Sequence, residues 1–261
     1  MLLAIDVGNT HTVIGLYEQP SKAEGASAGL VEHWRIATVA DRTEDELAVM
    51  LQGFLDFADW DWDDVSGVAI SSGVPRVTTS LRAMSERYFS LAPLVLGPGV
   101  KTGMPVLYDN PKEVGADRIA NAMGAYDLYG GPTIVIDFGT GTTLDAISAA
   151  GEYLGGAISP GVEISLDALF DRAAALRAIE LVEPRSVIGK STMESLQSGA
   201  LYGYAGQVDA LARRFQAEMG DCSVVGTGGL APLIAPHSEE IQHVEPWLTL
   251  HGLRIVYEQN R

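Results

Sequence analysis

The segment Asp6-Val7-Gly8-Asn9-Thr10-His11-Thr12 recurs half a chain later as Asp137-Phe138-Gly139-Thr140-Gly141-Thr142-Thr143. Each copy follows a short apolar run, Leu2-Leu3-Ala4-Ile5 in the first and Thr133-Ile134-Val135-Ile136 in the second. Such a run reads as a buried strand that delivers the aspartate to its carboxyl end. A turn rich in glycine and hydroxyls comes next. Glycine lets backbone approach a phosphate closely, and turn amides and hydroxyls are neutral donors suited to an anion. A carboxylate alone would repel phosphate, so its expected use is to hold a cation between protein and nucleotide. One such cluster is ordinary turn chemistry. Two copies half a chain apart predict two similar α/β halves that clasp one nucleotide in the cleft between them.

A third segment, Ser223-Val224-Val225-Gly226-Thr227-Gly228-Gly229-Leu230, is again an apolar strand that breaks into a glycine turn. Its bare backbone is suited to lie flat against a nucleobase or sugar. The order of two phosphate turns and then a glycine turn resembles the actin-like ATPase and sugar-kinase superfamily. That resemblance implies a duplicated actin-like, ribonuclease H-like ATPase fold, divided here into an N-terminal half over 1–115 and a C-terminal half over 116–261.

Composition fits an enzyme of modest size. The chain has 261 residues, is 47% hydrophobic, and has a mean hydropathy of +0.13, enough apolar content for a substantial core. Its formal net charge of −17 and pI near 4.5 argue against a nucleic-acid or anionic-membrane partner, which the field of the protein would repel. The same field opposes ATP and any acidic substrate, so local positive groups and metal ions are expected at the site. The acidic stretch from Asp56 to Asp64 reads as a solvated helix end and loop. A single cysteine, Cys222, excludes an internal disulfide and a multi-cysteine zinc site and reads as a small buried residue. The first residues lack the pattern of a signal peptide and no apolar run approaches a membrane span, so a cytoplasmic setting is expected.

Strand and helix patterns alternate along the chain. Thr43 with Glu46 forms a capping-box pattern ahead of Leu47, Met50, Leu51, Phe54 and Leu55, an amphipathic helix expected on the first sheet. Val68 to Ile70 and Leu94 to Leu96 read as strands, and Arg76 to about Phe89 as a helix. The stretch from Gly97 to Pro111 reads as a long irregular loop of the kind that carries binding residues, here Lys101, Thr102 and Tyr108 with Lys112 just beyond. Leu144–Ser148 and Tyr153–Ile158 suggest a hairpin, and Thr192 to about Met219 a helix. Gly199, Gly203 and Gly206 in that helix would permit close contact within the core or across a subunit boundary.

Gly115-Ala116-Asp117-Arg118 leads into Ile119, Ala122, Met123 and Tyr126, which share one helix face. Asp117 thus sits near a helix N-terminus. An acid there complements the helix dipole, and Arg118 would serve equally as a surface ion-pair residue. The functional reading is that Asp117 orients a substrate hydroxyl and accepts its proton during phosphoryl transfer, while Arg118 binds an anionic substrate group. A weak base suffices where the transition state is loose.

The motifs together resemble type III pantothenate kinases over nearly the whole chain. They are DVGNT at Asp6, KTG at Lys101, YDNPKEVGADR from Tyr108 to Arg118, DFGTGTT at Asp137, GEYLGGAISPG at Gly151, GKST at Gly189, TGGL at Thr227 and LTLHGL at Leu248. The resemblance implies ATP-dependent phosphorylation of the terminal hydroxyl of pantothenate to 4′-phosphopantothenate, the first step towards coenzyme A. It implies nucleotide phosphates on Asp6, Val7, Gly8, Asn9, Thr10, His11, Thr12, Val13 and Thr140, and Asp117 as the proton acceptor. Pantothenate contacts would come from Tyr108, Gly115, Ala116, Asp117, Arg118 and Thr192. Asp6 would serve Mg2+, directly or through water, and Asp137 a monovalent cation, K+ or NH4+. The family is homodimeric. His11, Gly73, Gly141 and Ala178 depart from residues common in the family. Of these His11 bears most on nucleotide affinity and its pH dependence and Gly141 on the stiffness of the second loop, unless both are neutral variation.

Three other functions share parts of this pattern. A sugar kinase would use the same nucleotide clasp, a phosphatase would position water in place of an alcohol, and a regulatory relative would bind nucleotide without turnover. The intact GADR segment and both aspartate turns speak against the last.

Overall fold

The computed structural model describes residues 1–18 and 27–261. Its strands are β1 (Leu2–Val7), β2 (His11–Tyr17), β3 (Leu30–Ala37), β4 (Gly67–Ser72), β5 (Leu94–Val95), β6 (Thr133–Phe138), β7 (Gly141–Ile147), β8 (Tyr153–Pro160), β9 (Ser223–Thr227) and β10 (His243–Val244). Its α-helices are α1 (Glu44–Phe57), α2 (Pro75–Met84), α3 (Ala116–Tyr129), α4 (Val162–Arg172), α5 (Thr192–Met219), α6 (Ala231–Ile234) and α7 (Leu248–Gln259).

Two five-stranded sheets carry the same topology. The first runs β3-β2-β1-β4-β5 and the second β8-β7-β6-β9-β10. In each, the aspartate-bearing strand pairs antiparallel with the strand that follows it and parallel with the strand on its other side. This is the duplication the repeated segment predicts. The apolar runs of β1 and β6 are buried on both faces, as the sequence suggests.

In the first unit, α1 starts at a complete capping box: Glu46 N donates to Thr43 Oγ1 at 3.3 Å and Thr43 N to Glu46 Oε2 at 2.8 Å. Leu47, Leu51 and Leu55 then pack with Leu3, Ile5, Val7, Val68 and Ile70 on one face of the sheet. The acidic stretch 56–64 is more than a solvated loop. Its Trp60 and Trp62 pack against this core, and the Trp62 ring lies 4.3 Å from that of Phe89. In the second unit Ile134, Ile136, Phe138, Leu144 and Val224 form a core with Leu201, Ala205 and Val208 of α5.

The compact units are Met1–Leu128 with Trp247–Arg261, and Tyr129–Pro246. This differs from a division at 115/116, because α3 and α7 both pack with the first unit. The two helices meet at their backbones. A β-carbon on Gly252 would stand 1.8 Å from Ala120 O, and one on Gly124 2.8 Å from Leu248 O. Thr249 Oγ1 donates to Asn121 Oδ1 at 2.7 Å, and His251 Nε2 lies 2.9 Å from Asp127 Oδ2. In consequence α3 is buried on every side from Arg118 to Ala125, where the sequence suggests a single apolar face. Gly199, Gly203 and Gly206 of α5 each face open space within the chain, which removes the core-contact explanation of their spacing.

Candidate active site

The first aspartate turn is three residues long. β1 ends at Val7, β2 begins at His11, and Gly8 N donates to His11 O at 3.0 Å. Gly8 leaves little room for a side chain, since a β-carbon would stand 3.1 Å from that same carbonyl. Asp6 lies in register with Val13 on one side and Ser71 on the other. Behind the turn stands Thr38, which the sequence gives no reason to single out. Its Oγ1 donates to Gly8 O at 2.8 Å and lies 2.9 Å from Thr12 Oγ1, and its amide donates to Thr10 O at 2.9 Å. Engaging these carbonyls within the protein favours an anion at the turn, because a bare carbonyl oxygen would repel it. The side chains of Asn9, Thr10 and His11 are exposed.

The second turn is shorter by one residue. Gly139 N donates to Gly141 O at 3.1 Å, and Thr140 O accepts the amide of Gly161 at 3.0 Å. Gly161 is required here, because a β-carbon would lie 2.3 Å from Thr140 O and 2.5 Å from Gly139 O. Gly228 closes on the aspartate itself: at φ +88°, its β-carbon would stand 2.5 Å from Asp137 Oδ1 and 2.7 Å from Phe138 N. The glycine at this position is thus needed to seat Asp137, whereas the sequence alone suggests a platform for base or sugar. Gly161 and Gly228, far apart in sequence, thus both close on the second turn, the first against its carbonyls and the second against the carboxylate of Asp137.

Asp117 occupies the first turn of α3 and is exposed, while Arg118 beside it is 7% exposed. Asp117 Oδ1 accepts the amide of Arg118 at 2.8 Å. Gly115 makes room for this arrangement, since a β-carbon there would fall 2.4 Å from Asp117 Oδ1. Tyr108, in the irregular stretch before a short helical turn at Pro111–Glu113, is half-buried. Asp6 to Val13, Tyr108 and Gly115 to Arg118 all belong to the first unit; Asp137, Thr140 and Thr192 belong to the second.

Thr192 is exposed as the first residue of α5, whose N-cap Ser191 accepts the amide of Glu194 at 3.2 Å. Glu194 ties the preceding segment to the helix. Its carboxylate accepts from Arg185 Nε at 2.5 Å and from the amide of Lys190 at 2.9 Å. The Arg185 hydrogen bond, then the Lys190 amide, holds the Glu194 carboxyl below its usual range. Sequence spacing marks the GKST segment but not this anchor.

Among the described residues no group of three or more His, Cys, Asp or Glu side chains could hold a metal ion by itself. The donor at each turn is a hard oxygen ligand, the single carboxylate of Asp6 in the first and of Asp137 in the second. That set fits Mg2+, which keeps several waters and is held by one or two carboxylates together with substrate phosphates. It does not fit a preformed protein cage.

Two sheets of one topology, each with an aspartate near the end of its central strand and a glycine-bearing turn after it, define a duplicated actin-like fold. Solved structures share it. Component A of the (R)-2-hydroxyglutaryl-CoA dehydratase from Acidaminococcus fermentans matches with a TM-score of 0.60 at 16% identity, over 100% of this chain and 99% of that one. The inorganic polyphosphate/ATP-glucomannokinase from Arthrobacter sp. strain KM matches with a TM-score of 0.51 at 12% identity, over 99% of this chain and 98% of that one. At such identities the likeness is one of fold. Within that class the sequence is more specific. A family model for type III pantothenate kinase matches residues 2–214. The type III pantothenate kinase of Streptomyces coelicolor is 54% identical over 269 residues, covering 100% of this chain and 98% of the relative. The chain belongs to the type III pantothenate kinase family.

Proposed function

We infer that this chain is a kinase that transfers a phosphoryl group from ATP to the terminal hydroxyl of pantothenate, giving 4′-phosphopantothenate in the first step of coenzyme A biosynthesis. The observation that carries the chemistry is the seat of Asp117. Its carboxylate is exposed in the first turn of α3, with Oδ1 fixed by the amide of Arg118 and space provided by Gly115. Oδ2 then accepts the proton of the substrate hydroxyl as the bond to phosphorus forms. The buried Arg118 and the half-buried Tyr108, with Gly115 and Ala116, are assigned to pantothenate, and the exposed Thr192 is a further contact.

The nucleotide phosphates are assigned to Asp6, Val7, Gly8, Asn9, Thr10, His11, Thr12 and Val13 and to Thr140. Mg2+ supplies charge neutralisation of the phosphates when bound; Asp6 would hold it, directly or through water. Asp137 would hold the monovalent cation, K+ or NH4+. Cys222 is buried, and burial raises its thiol above the usual range, so it takes no part. A cytoplasmic setting is proposed with it, in keeping with the use of ATP.

The enzyme is proposed to act as a homodimer. Support comes from apolar side chains exposed in the second unit, Ile158 on β8, Val187 and Ile188 before α5 and Met193 within it, and from the bare glycine row of α5. Sedimentation of the purified chain at micromolar concentration should give twice the 27.7 kDa chain mass; a monomer would remove this assignment.

The reaction is tested by incubating the protein with Mg-ATP and pantothenate, with sugars, or with no acceptor, and measuring ADP and phosphorylated product. ADP formation that depends on pantothenate is expected. Turnover on a sugar alone, or equal turnover with no acceptor, would favour a sugar kinase or a phosphatase instead.

A further inference from the structure

Strand pairing puts a hydroxyl residue beside each strand-end aspartate. Ser71 of β4 is in register with Asp6, and Thr227 of β9 with Asp137. In-register neighbours of a ladder project from the same face. Accordingly the intervening residues Ile5, Val7 and Ile70 lie together in the apolar core on the opposite face. Both hydroxyl residues are buried, Ser71 at 0% and Thr227 at 2% exposure.

The two copies differ in what the hydroxyl meets. Thr227 Oγ1 donates to Glu245 O at 2.7 Å. Ser71 Oγ is buried and has no hydrogen-bond partner among the described residues. The neighbouring Ser72 shows that the local backbone offers partners readily, since its Oγ accepts the amide of Val74 at 3.0 Å and reaches Val74 O at 3.3 Å. Burying a hydroxyl without a partner forfeits its hydration with no return. At one position of a duplicated sheet, then, the second half satisfies the group within the protein and the first half does not. The unsatisfied copy stands beside the carboxylate assigned to the metal.

We propose that Ser71 is a positioning residue of the metal–nucleotide site, its hydroxyl hydrogen-bonded to a water in the coordination shell of the divalent cation at Asp6. The inference rests on the assignment of Asp6 to Mg2+. Magnesium retains several waters when bound to protein, and a fixed partner for one of them orients the hydrated ion against the phosphates. Thr227 differs, because its hydroxyl proton is committed to Glu245 O and only its lone pairs remain for a water, whereas the Ser71 hydroxyl has neither role filled within the protein.

The test is calorimetric titration of the whole protein with a non-hydrolysable ATP analogue, with and without Mg2+, for wild type and Ser71→Ala, alongside thermal unfolding of both without ligand. In the wild type Mg2+ should strengthen analogue binding. Ser71→Ala should bind the analogue alone as the wild type does and lose about three- to tenfold of the Mg2+-dependent gain, the worth of one hydrogen bond. Its unliganded Tm should be unchanged or higher, since no bond within the protein is lost. A full Mg2+ gain in Ser71→Ala, an equal loss with and without Mg2+, or a lowered Tm would each overturn the proposal and leave Asp6 assigned as before. A wild type indifferent to Mg2+ would overturn both assignments.

Discussion

Asp117 and Arg118 are adjacent yet meet opposite surroundings, the carboxylate exposed and the guanidinium buried. The amide of Arg118, donating to Oδ1 at 2.8 Å, holds that carboxylate in one place. Asp117→Asn keeps the shape and removes the base, so turnover should fall by about two to four orders of magnitude, the range for lost general-base assistance, with nucleotide affinity preserved. Steady-state kinetics with a separate nucleotide titration checks this; near-normal turnover would reduce Asp117 to a complement of the helix dipole. Arg118→Ala should act on the anionic acceptor, raising KM for pantothenate well above its effect on KM for ATP. Equal effects on the two would count against the assignment. The GADR segment was legible because its parts are contiguous and each has a chemical reason to be there. Thr38 and Ser71 were not. They reach the first turn only through the pairing of β3 with β2 and β4 with β1, and nothing in their immediate neighbours marks them.

At the scale of elements, α3 is set by α7. Two glycines and a pair of hydrogen bonds let the helices touch backbone to backbone, and α3 carries Asp117 at its exposed end. Gly252→Ala would drive a methyl group into Ala120 O and should destabilise the protein by about 1–3 kcal/mol, as overpacking of a close core does. Denaturant unfolding monitors this, and an unchanged midpoint would show that the helices separate without cost. The one buried face of α1 was readable from its helical spacing, and β4, buried on both faces, from its short apolar run. Buried all round, α3 carries no such pattern, and its predicted single face was too narrow. The acidic run 56–64 misled in the other direction, because its charges mask two tryptophans that pack inward.

At the scale of the molecule, a chain of net charge −17 must bind a polyanion and an anionic acceptor. The cations proposed at the turns would offset this repulsion where it matters, next to the phosphates. The duplication supplies two carboxylates in equivalent places, and on the proposed assignment the differences around them would divide the work. The first turn has three residues and an unpartnered serine beside its aspartate; the second has two residues, a satisfied threonine and Gly228 pressed against Asp137. The repeat itself was plain in the sequence, whereas the asymmetry was not, since it lies in the length of a turn and the fate of a hydroxyl. The most direct measurement of this division of labour is pantothenate-dependent ADP formation at fixed Mg2+ and ionic strength, with K+, NH4+, Na+ or a bulky organic cation, for wild type and Asp137→Ala. The expected result is a wild-type rate that is low with Na+ or the organic cation and rises with K+ or NH4+, a response that Asp137→Ala abolishes. A wild-type rate indifferent to the monovalent ion would contradict the account and return Asp137 to magnesium or to the turn itself.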